Sequence, residues 1–152
     1  MESTISKTLK HVLFLARHLD ACDPRGAVIV ALMELGVQTK SIGFEFLKQA
    51  IILQYNDPTR ALTNDIYREI TLHCKQNSEE QVEQAIREAI KFAWRHGSKA
   101  AWEWYFSYDG QAVIHKPTNS EFISRIAYIL ELWQECKIKE GHNEKEETNL
   151  PV

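Results

Sequence analysis

The sequence has few glycines and prolines, an odd number of cysteines and no long apolar run. Glycine occurs 6 times and proline 4 times in 152 residues, and the apolar–polar alternation of strands is scarce. This scarcity predicts an all-α protein, because chains built from strands need frequent turn residues. No apolar run approaches the ~20 residues of a membrane-spanning helix. The early run VLFLA (residues 12–16) is too short for a signal peptide and has no cleavage site after it. We therefore expect no membrane segment.

Metal-binding and disulfide patterns are also missing. The cysteines Cys22, Cys74 and Cys136 lie far apart without a C-x-x-C motif, and the six histidines form neither an i,i+4 pair nor an H-E-x-x-H motif. Zinc sites and disulfide frameworks require such spacings. We therefore expect reduced thiols, as in cytoplasmic proteins, and no metal or other cofactor.

Nothing in the sequence favours an enzyme. Glu79 and Glu83 lie about one helical turn apart and could imitate a carboxylate pair, but no nucleophile and no cofactor-binding loop accompanies them. We expect no catalytic residue and no small-molecule substrate.

The net charge of −3 is unusual for a nucleic-acid-binding domain. Domains that bind nucleic acid by themselves are usually basic. No long segment of this chain is strongly basic, so any affinity for DNA must come from the local placement of charged side chains.

Seven stretches combine the helical spacing of apolar residues with cap or turn residues at their ends. They are residues 4–19, 24–35, 42–55, 64–75, 79–96, 98–108 and 118–133. The predicted fold is a compact domain of six to seven helices. We divide the chain into an extra N-terminal helix (1–21), a globular domain (22–133) and a charged tail (134–152). The tail is predicted to be disordered because it has little to bury.

Two of these helices have the order of a helix-turn-helix. The helix 64–75 and the longer helix 79–96 are separated by a short turn at Gln76–Ser78. Ser78 and Gln81 have the capping-box spacing, which marks the start of the second helix. In a helix-turn-helix, the N-terminal residues of the second helix face base edges in the major groove.

The outward side chains of the second helix are of types that can read bases. Glutamine pairs with adenine, glutamate accepts from cytosine, and arginine pairs with guanine. The candidate base contacts are Gln81, Glu83, Gln84 and Arg87. Hydroxyl and cationic side chains around them could bind phosphates. The candidate phosphate contacts are Ser78, Lys75, Lys91, Arg95 and Lys116, the last beside a helix start at Thr118. The alternative is a solvated helix face with an ordinary cap.

Three segments carry a resemblance to a known family. IGFEFLKQAIILQYNDPTRALTNDIYREI, VEQAIREAIKFAW and KPTNSEFI, in this order and spacing, resemble the DNA-binding effector domain of the stage-zero sporulation response regulators, transcription factors of endospore-forming bacteria. The resemblance covers about residues 25–132. It implies a six-helix, winged-helix-like domain with a helix-turn-helix but no clear wing. It also implies binding to double-stranded DNA by paired domains on tandem sites, contact with an RNA polymerase sigma factor, and a place on the bacterial nucleoid in the cytoplasm.

The sequence departs from that family before the match and within it. Only residues 1–21 precede the match, too few for the phosphoacceptor receiver domain that the family carries, so we expect no phosphorylation control within this chain. The family's recognition helix resembles S-R-V-E-R-A-I-R-H, whereas this chain has E-Q-V-E-Q-A-I-R-E.

The substitutions in the recognition helix change its reading surface. Glu83 and Arg87 match base-reading positions of the family, Gln81 and Gln84 replace arginines, and Glu88 replaces a histidine. Since a good base contact contributes ~1–3 kcal/mol, the loss of two arginines could remove several kcal/mol of affinity. We expect a transcriptional regulator with an altered sequence preference. The alternative is a protein-interaction module that has lost DNA binding and acts on the full-length regulator, a sigma factor or another partner.

Two further segments have more than one interpretation. The N-terminal helix 4–19 would pack on the domain, or would contact a second copy or another partner. The aromatic residues of the predicted helix 98–108 would pack in the core, or would form a platform on which the bases of a single strand stack. They are Trp102, Trp104, Tyr105 and Phe106. Core packing is favoured because Lys99 is the only basic residue in this segment.

Overall fold

The computed structural model of the protein describes residues 23–107 and 115–148. This part of the chain forms six α-helices and no strand, which confirms the all-α fold. The helices are α1 (Pro24–Leu35), α2 (Ile42–Asn56), α3 (Tyr67–His73), α4 (Glu79–His96), α5 (Lys99–Phe106) and α6 (Asn119–Thr148). A π-helical turn, Leu62–Ile66, runs directly into α3.

Local sequence signals set the ends of α1 and the start of α2. The Asp23 carboxylate accepts a hydrogen bond from the Gly26 N–H at 2.6 Å, and Pro24 occupies the first helical position. Gly36 ends α1 with a φ of 93°, a left-handed conformation that glycine adopts without a steric penalty. The Ser41 hydroxyl then accepts from the Phe44 N–H and caps α2.

Helix α2 lies at the centre of the domain, against α1, α4 and α6. Its residue Gly43 lies so close to α4 that an added Cβ would be 2.5 Å from the Ala85 carbonyl oxygen and 2.7 Å from the Ala89 Cβ. Every helix contributes to one buried core. Representative core residues, in chain order, are Leu32, Phe46, Ile70, Ile86, Tyr105 and Phe122. The core thereby fixes α4 on the body of the domain.

The aromatic helix α5 packs mainly in the core. Trp102, Tyr105 and Phe106 are buried, while Trp104 is 40% exposed. The Trp102 indole N–H donates to the Leu35 carbonyl at 3.0 Å and to the Ala93 carbonyl at 3.1 Å, so it joins the C-terminal ends of α1 and α4. With three of the four rings covered, the aromatic cluster does not form an open stacking platform.

Two helices differ in length from the sequence prediction. Helix α3 ends at His73 rather than near residue 75, because the chain turns at Cys74, whose carbonyl accepts from the Asn77 N–H at 3.1 Å. Helix α6 continues to Thr148 instead of ending near Trp133, through most of the segment 134–152 for which the sequence predicts a disordered tail. That segment is rich in glutamate and lysine, which are good helix formers, and low apolar content does not by itself end a helix.

Several sequence predictions fall outside the described residues. They are the N-terminal helix 4–19 with its segment 1–21, Cys22, most of the linker between α5 and α6, and the last four residues of the tail.

Candidate nucleic-acid interface

Helices α3 and α4 form the helix-turn-helix. The chain leaves α3 at His73, turns through residues 74–78 and enters α4 at Glu79. Helix α4 is strongly amphipathic. Its buried stripe, which packs on the core, consists of Val82, Ile86, Ala89, Ile90 and Ala93. The opposite side of α4 faces outward, and we call it the outward face. Its first four turns carry Glu80, Gln81, Glu83, Gln84, Arg87, Glu88 and Lys91.

A capping box fixes the first turn of α4. The Ser78 hydroxyl accepts from the Gln81 N–H at 3.2 Å, and the Gln81 side-chain oxygen accepts from the Ser78 N–H at 2.9 Å. The carboxylates of Glu79 and Glu80 lie at the positive end of the helix dipole, where negative charge is stabilising. Because its side-chain oxygen accepts the bond of the capping box, Gln81 has mainly its amino group left for a contact with DNA.

A chain of side-chain contacts runs along the outward face. The Arg87 guanidinium forms an ion pair with the Glu83 carboxylate. It also donates to the Gln84 side-chain oxygen at 3.3 Å, and the Gln84 amino group donates to the Glu88 carboxylate at 3.0 Å. Three of the four base-contact candidates are therefore connected by side-chain contacts, and Glu88 is the next residue in this series of contacts.

The Glu83–Arg87 pair opposes DNA binding only weakly. The side chain of Arg87 is 50% exposed and that of Glu83 is 39% exposed. Exposed ion pairs at i,i+4 spacing contribute about 0.3–0.5 kcal/mol. Arg87 can therefore exchange its carboxylate partner for a base or a phosphate at small cost.

The cations predicted to contact phosphates have no ion-pair partner in the part of the chain that the structure describes. The ion pairs found there are Lys48–Glu45, Arg60–Glu69 and Arg87–Glu83. The unpaired candidates are Lys75, Lys91, Arg95 and Lys116. Lys75 and Arg95 are exposed and lie before and towards the end of α4, whereas Lys91 and Lys116 are half-buried. The Ser78 hydroxyl accepts the capping bond and retains its proton for donation.

A cleft of about 560 Å³ separates the outward face of α4 from the start of α6. Arg87 and Glu83 line it on one side, and Lys116 lines it on the other. The Thr118 hydroxyl accepts from the Glu121 N–H at 3.1 Å, so the predicted cap at this helix start is formed. The structure thus places Lys116 beside the recognition helix, although 29 residues separate it from Arg87 in the sequence.

The family model described as sporulation initiation factor Spo0A C terminal matches residues 28–130. This chain belongs to that family. The match confirms the resemblance seen in the sequence and makes the chain a DNA-binding domain of the sporulation-regulator type. The family is one of transcription-factor domains and not of enzymes. All nine candidate contact residues lie inside the matched range.

The candidate interface of this family member has one residue that the sequence did not predict. Asn119, the first residue of α6, donates from its amide to the Tyr67 hydroxyl at 3.1 Å and to the Glu83 backbone carbonyl at 3.1 Å. Burial raises the pKa of Tyr67 further above neutral pH, so its hydroxyl is protonated and can accept from the Asn119 amide. Asn119 therefore holds α3, α4 and α6 together beside the outward face. The partners are 52 and 36 residues away along the chain, and no local pattern indicates them.

Other kinds of site find little support among the described residues of this family member. No group of three or more potential metal ligands occurs there. Glu79 and Glu83 do not form a carboxylate pair, because Glu83 is bound to Arg87. In the described part of the chain, no helix is both long enough and apolar enough to span a membrane.

Proposed function

We propose that this domain binds double-stranded DNA sequence-specifically and regulates transcription through a recognition helix whose base-contacting side chains differ from those of its family. The observation that carries the proposal is the outward face of α4, where Gln84 and Arg87 are exposed on a capped helix that the core holds in place. In a helix-turn-helix, this is the part of the second helix that meets base edges.

The surrounding charges support the same arrangement. Unpaired cations lie in the turn before α4, along α4 and across the cleft at Lys116. Phosphate contacts fix the position of a protein on the duplex, whereas base contacts decide the sequence. We therefore propose that Gln84 and Arg87 contact the bases. The residues that would contact phosphates and position the domain on the duplex are Lys75, Lys91, Arg95 and Lys116.

A selection from a randomised duplex library, using the purified domain, tests this proposal. We expect enrichment of a defined sequence. Substitution Arg87→Ala should cost ~1–3 kcal/mol on the selected site and relax the preference at one base pair. The matched control, Arg95→Ala, removes the same charge from a phosphate-contact candidate. It should weaken binding equally for all sequences and reduce the salt slope by about 1.

The second candidate function is a protein-interaction module without DNA binding. The first turns of α4 carry four acidic residues, Glu79, Glu80, Glu83 and Glu88, which would repel phosphates and suit a basic protein surface. If the library yields no enriched sequence, and no duplex is retarded in a gel even at low salt, this second function is the one that remains.

The family resemblance adds partners to the proposal. We propose that two copies bind side by side on DNA and that the bound domain contacts an RNA polymerase sigma factor, in the compartment that holds the bacterial chromosome. A repeated half-site in the selected sequence, with retardation in two steps, would support the pairing of copies.

A further inference from the structure

The amide of Gln84 is held in one orientation by its two neighbours on the outward face of α4. Its side-chain oxygen accepts from Arg87 at 3.3 Å, and its amino group donates to Glu88 at 3.0 Å. A rotation of the amide by 180° would place the amino group against the guanidinium and the oxygen against the carboxylate. Both new contacts would be repulsive, so this pair of charged neighbours permits one orientation.

We propose that Glu88 is a positioning residue, which presents the Gln84 amide to DNA as a reader of adenine. This inference rests on the proposed DNA binding of α4. After the two contacts with its neighbours, Gln84 keeps one acceptor lone pair and one donor hydrogen. Adenine offers one donor, N6, and one acceptor, N7, to the major groove. The held amide matches that pair with both of its groups at once.

A free glutamine would be less selective. It could turn its amino group to the two acceptors of guanine, or its oxygen to the N4 donor of cytosine. The two neighbours prevent this turning, so Glu88 would act on the discrimination through Gln84 and not through a base contact of its own. Among the described residues, the Glu88 carboxylate accepts its hydrogen bond from Gln84 and forms no ion pair with Arg87.

The chain offers matched variants for a test. Glu88→Ala removes the acceptor that holds Gln84. Glu88→Gln keeps a side-chain oxygen but adds an amino group, so that only Arg87 still opposes the turned-over Gln84 amide. Glu80→Ala removes one negative charge from the same helix face without any hydrogen bond to Gln84. Gln84→Ala identifies the base pair that Gln84 reads. These side chains are exposed, so thermal unfolding should be nearly unchanged in each variant.

The measurement is competitive binding of the selected duplex and of its single-base-pair variants to the full chain. We expect the wild type to prefer adenine at one base pair by about five- to 150-fold, which corresponds to ~1–3 kcal/mol. That preference should disappear in Gln84→Ala, fall below about threefold in Glu88→Ala, fall to an intermediate value in Glu88→Gln, and persist in Glu80→Ala. Every variant that removes a carboxylate should bind all duplexes more tightly, because the repulsion of phosphates decreases.

The outcomes separate this inference from the function beneath it. If the wild-type protein binds no duplex even at low salt, both the proposed DNA binding and the positioning role of Glu88 are overturned. Wild-type protein that binds a defined sequence, but shows no adenine preference sensitive to Gln84→Ala, overturns the inference alone. The positioning role of Glu88 is also overturned if Glu88→Ala keeps the preference, or if Glu80→Ala loses it.

Discussion

At the scale of single residues, the side chains on the outward face of α4 are not independent. Glu83, Arg87, Gln84 and Glu88 form one chain of contacts. A substitution at one of them changes what the next can offer to a base. Glu83 could have either of two roles. Its carboxylate could accept a hydrogen bond from cytosine N4, or it could compete with DNA for Arg87.

Substitution Glu83→Gln decides between these two roles. If Glu83 competes with DNA for Arg87, the variant should bind the selected duplex up to about twofold more tightly, since exposed ion pairs at i,i+4 spacing contribute about 0.3–0.5 kcal/mol. Glu79→Gln, which removes the same charge without a contact to Arg87, should gain less. Fluorescence anisotropy with a labelled duplex gives both affinities. Weaker binding by Glu83→Gln, together with a changed preference at one base pair, would instead identify Glu83 as a base reader.

At the scale of helices, the recognition helix depends on a close crossing with α2. Gly43 leaves room for the backbone of α4 at Ala85, so the two helices pack more closely than any side chain at this position would allow. The cap at Ser78 sets where α4 begins, and the crossing at Gly43 sets its distance from the core. Asn119 then ties the Glu83 carbonyl to the start of α6.

The crossing predicts a stability change. In Gly43→Ala, the added methyl group would overlap the Ala85 carbonyl oxygen, and we expect a loss of about 1–3 kcal/mol in the free energy of unfolding. Urea unfolding followed by circular dichroism measures it. The matched control is Gly26→Ala in the first turn of α1, where the higher helix propensity of alanine should leave stability unchanged or raise it by up to about 1 kcal/mol. Equal urea midpoints for Gly43→Ala and the wild type would contradict the close crossing.

At the scale of the whole molecule, charge is separated along the interface. The net charge is −3, and the acidic residues Glu79, Glu80, Glu83 and Glu88 crowd the first turns of α4. The unpaired cations Lys75, Lys91, Arg95 and Lys116 lie around them. We propose that this arrangement favours approach to DNA at the edges of the interface and makes its centre selective, because a carboxylate accepts hydrogen bonds from a base but cannot donate them.

The sequence predicted the parts of this interface that depend on neighbouring residues. The limits of α4 and its cap at Ser78 follow from contacts across three residues, so their signals are local. The cleft that places Lys116 opposite Arg87, and the bridge made by Asn119, depend on how distant helices pack. The greater length of α6 was not predicted, because the apolar pattern ends near Trp133 whereas the helix continues through a polar segment rich in helix-forming residues.

The central claim is that the outward face of α4 enters a groove of double-stranded DNA. The most direct measurement is titration of the ¹⁵N-labelled chain with a duplex that carries the selected site, or with a mixed-sequence duplex at low salt, followed by amide chemical shifts. We predict the largest shifts in residues 74–78, in the first three turns of α4 and at residues 116–119. Unchanged spectra, or shifts confined to the opposite side of the domain, would contradict the claim.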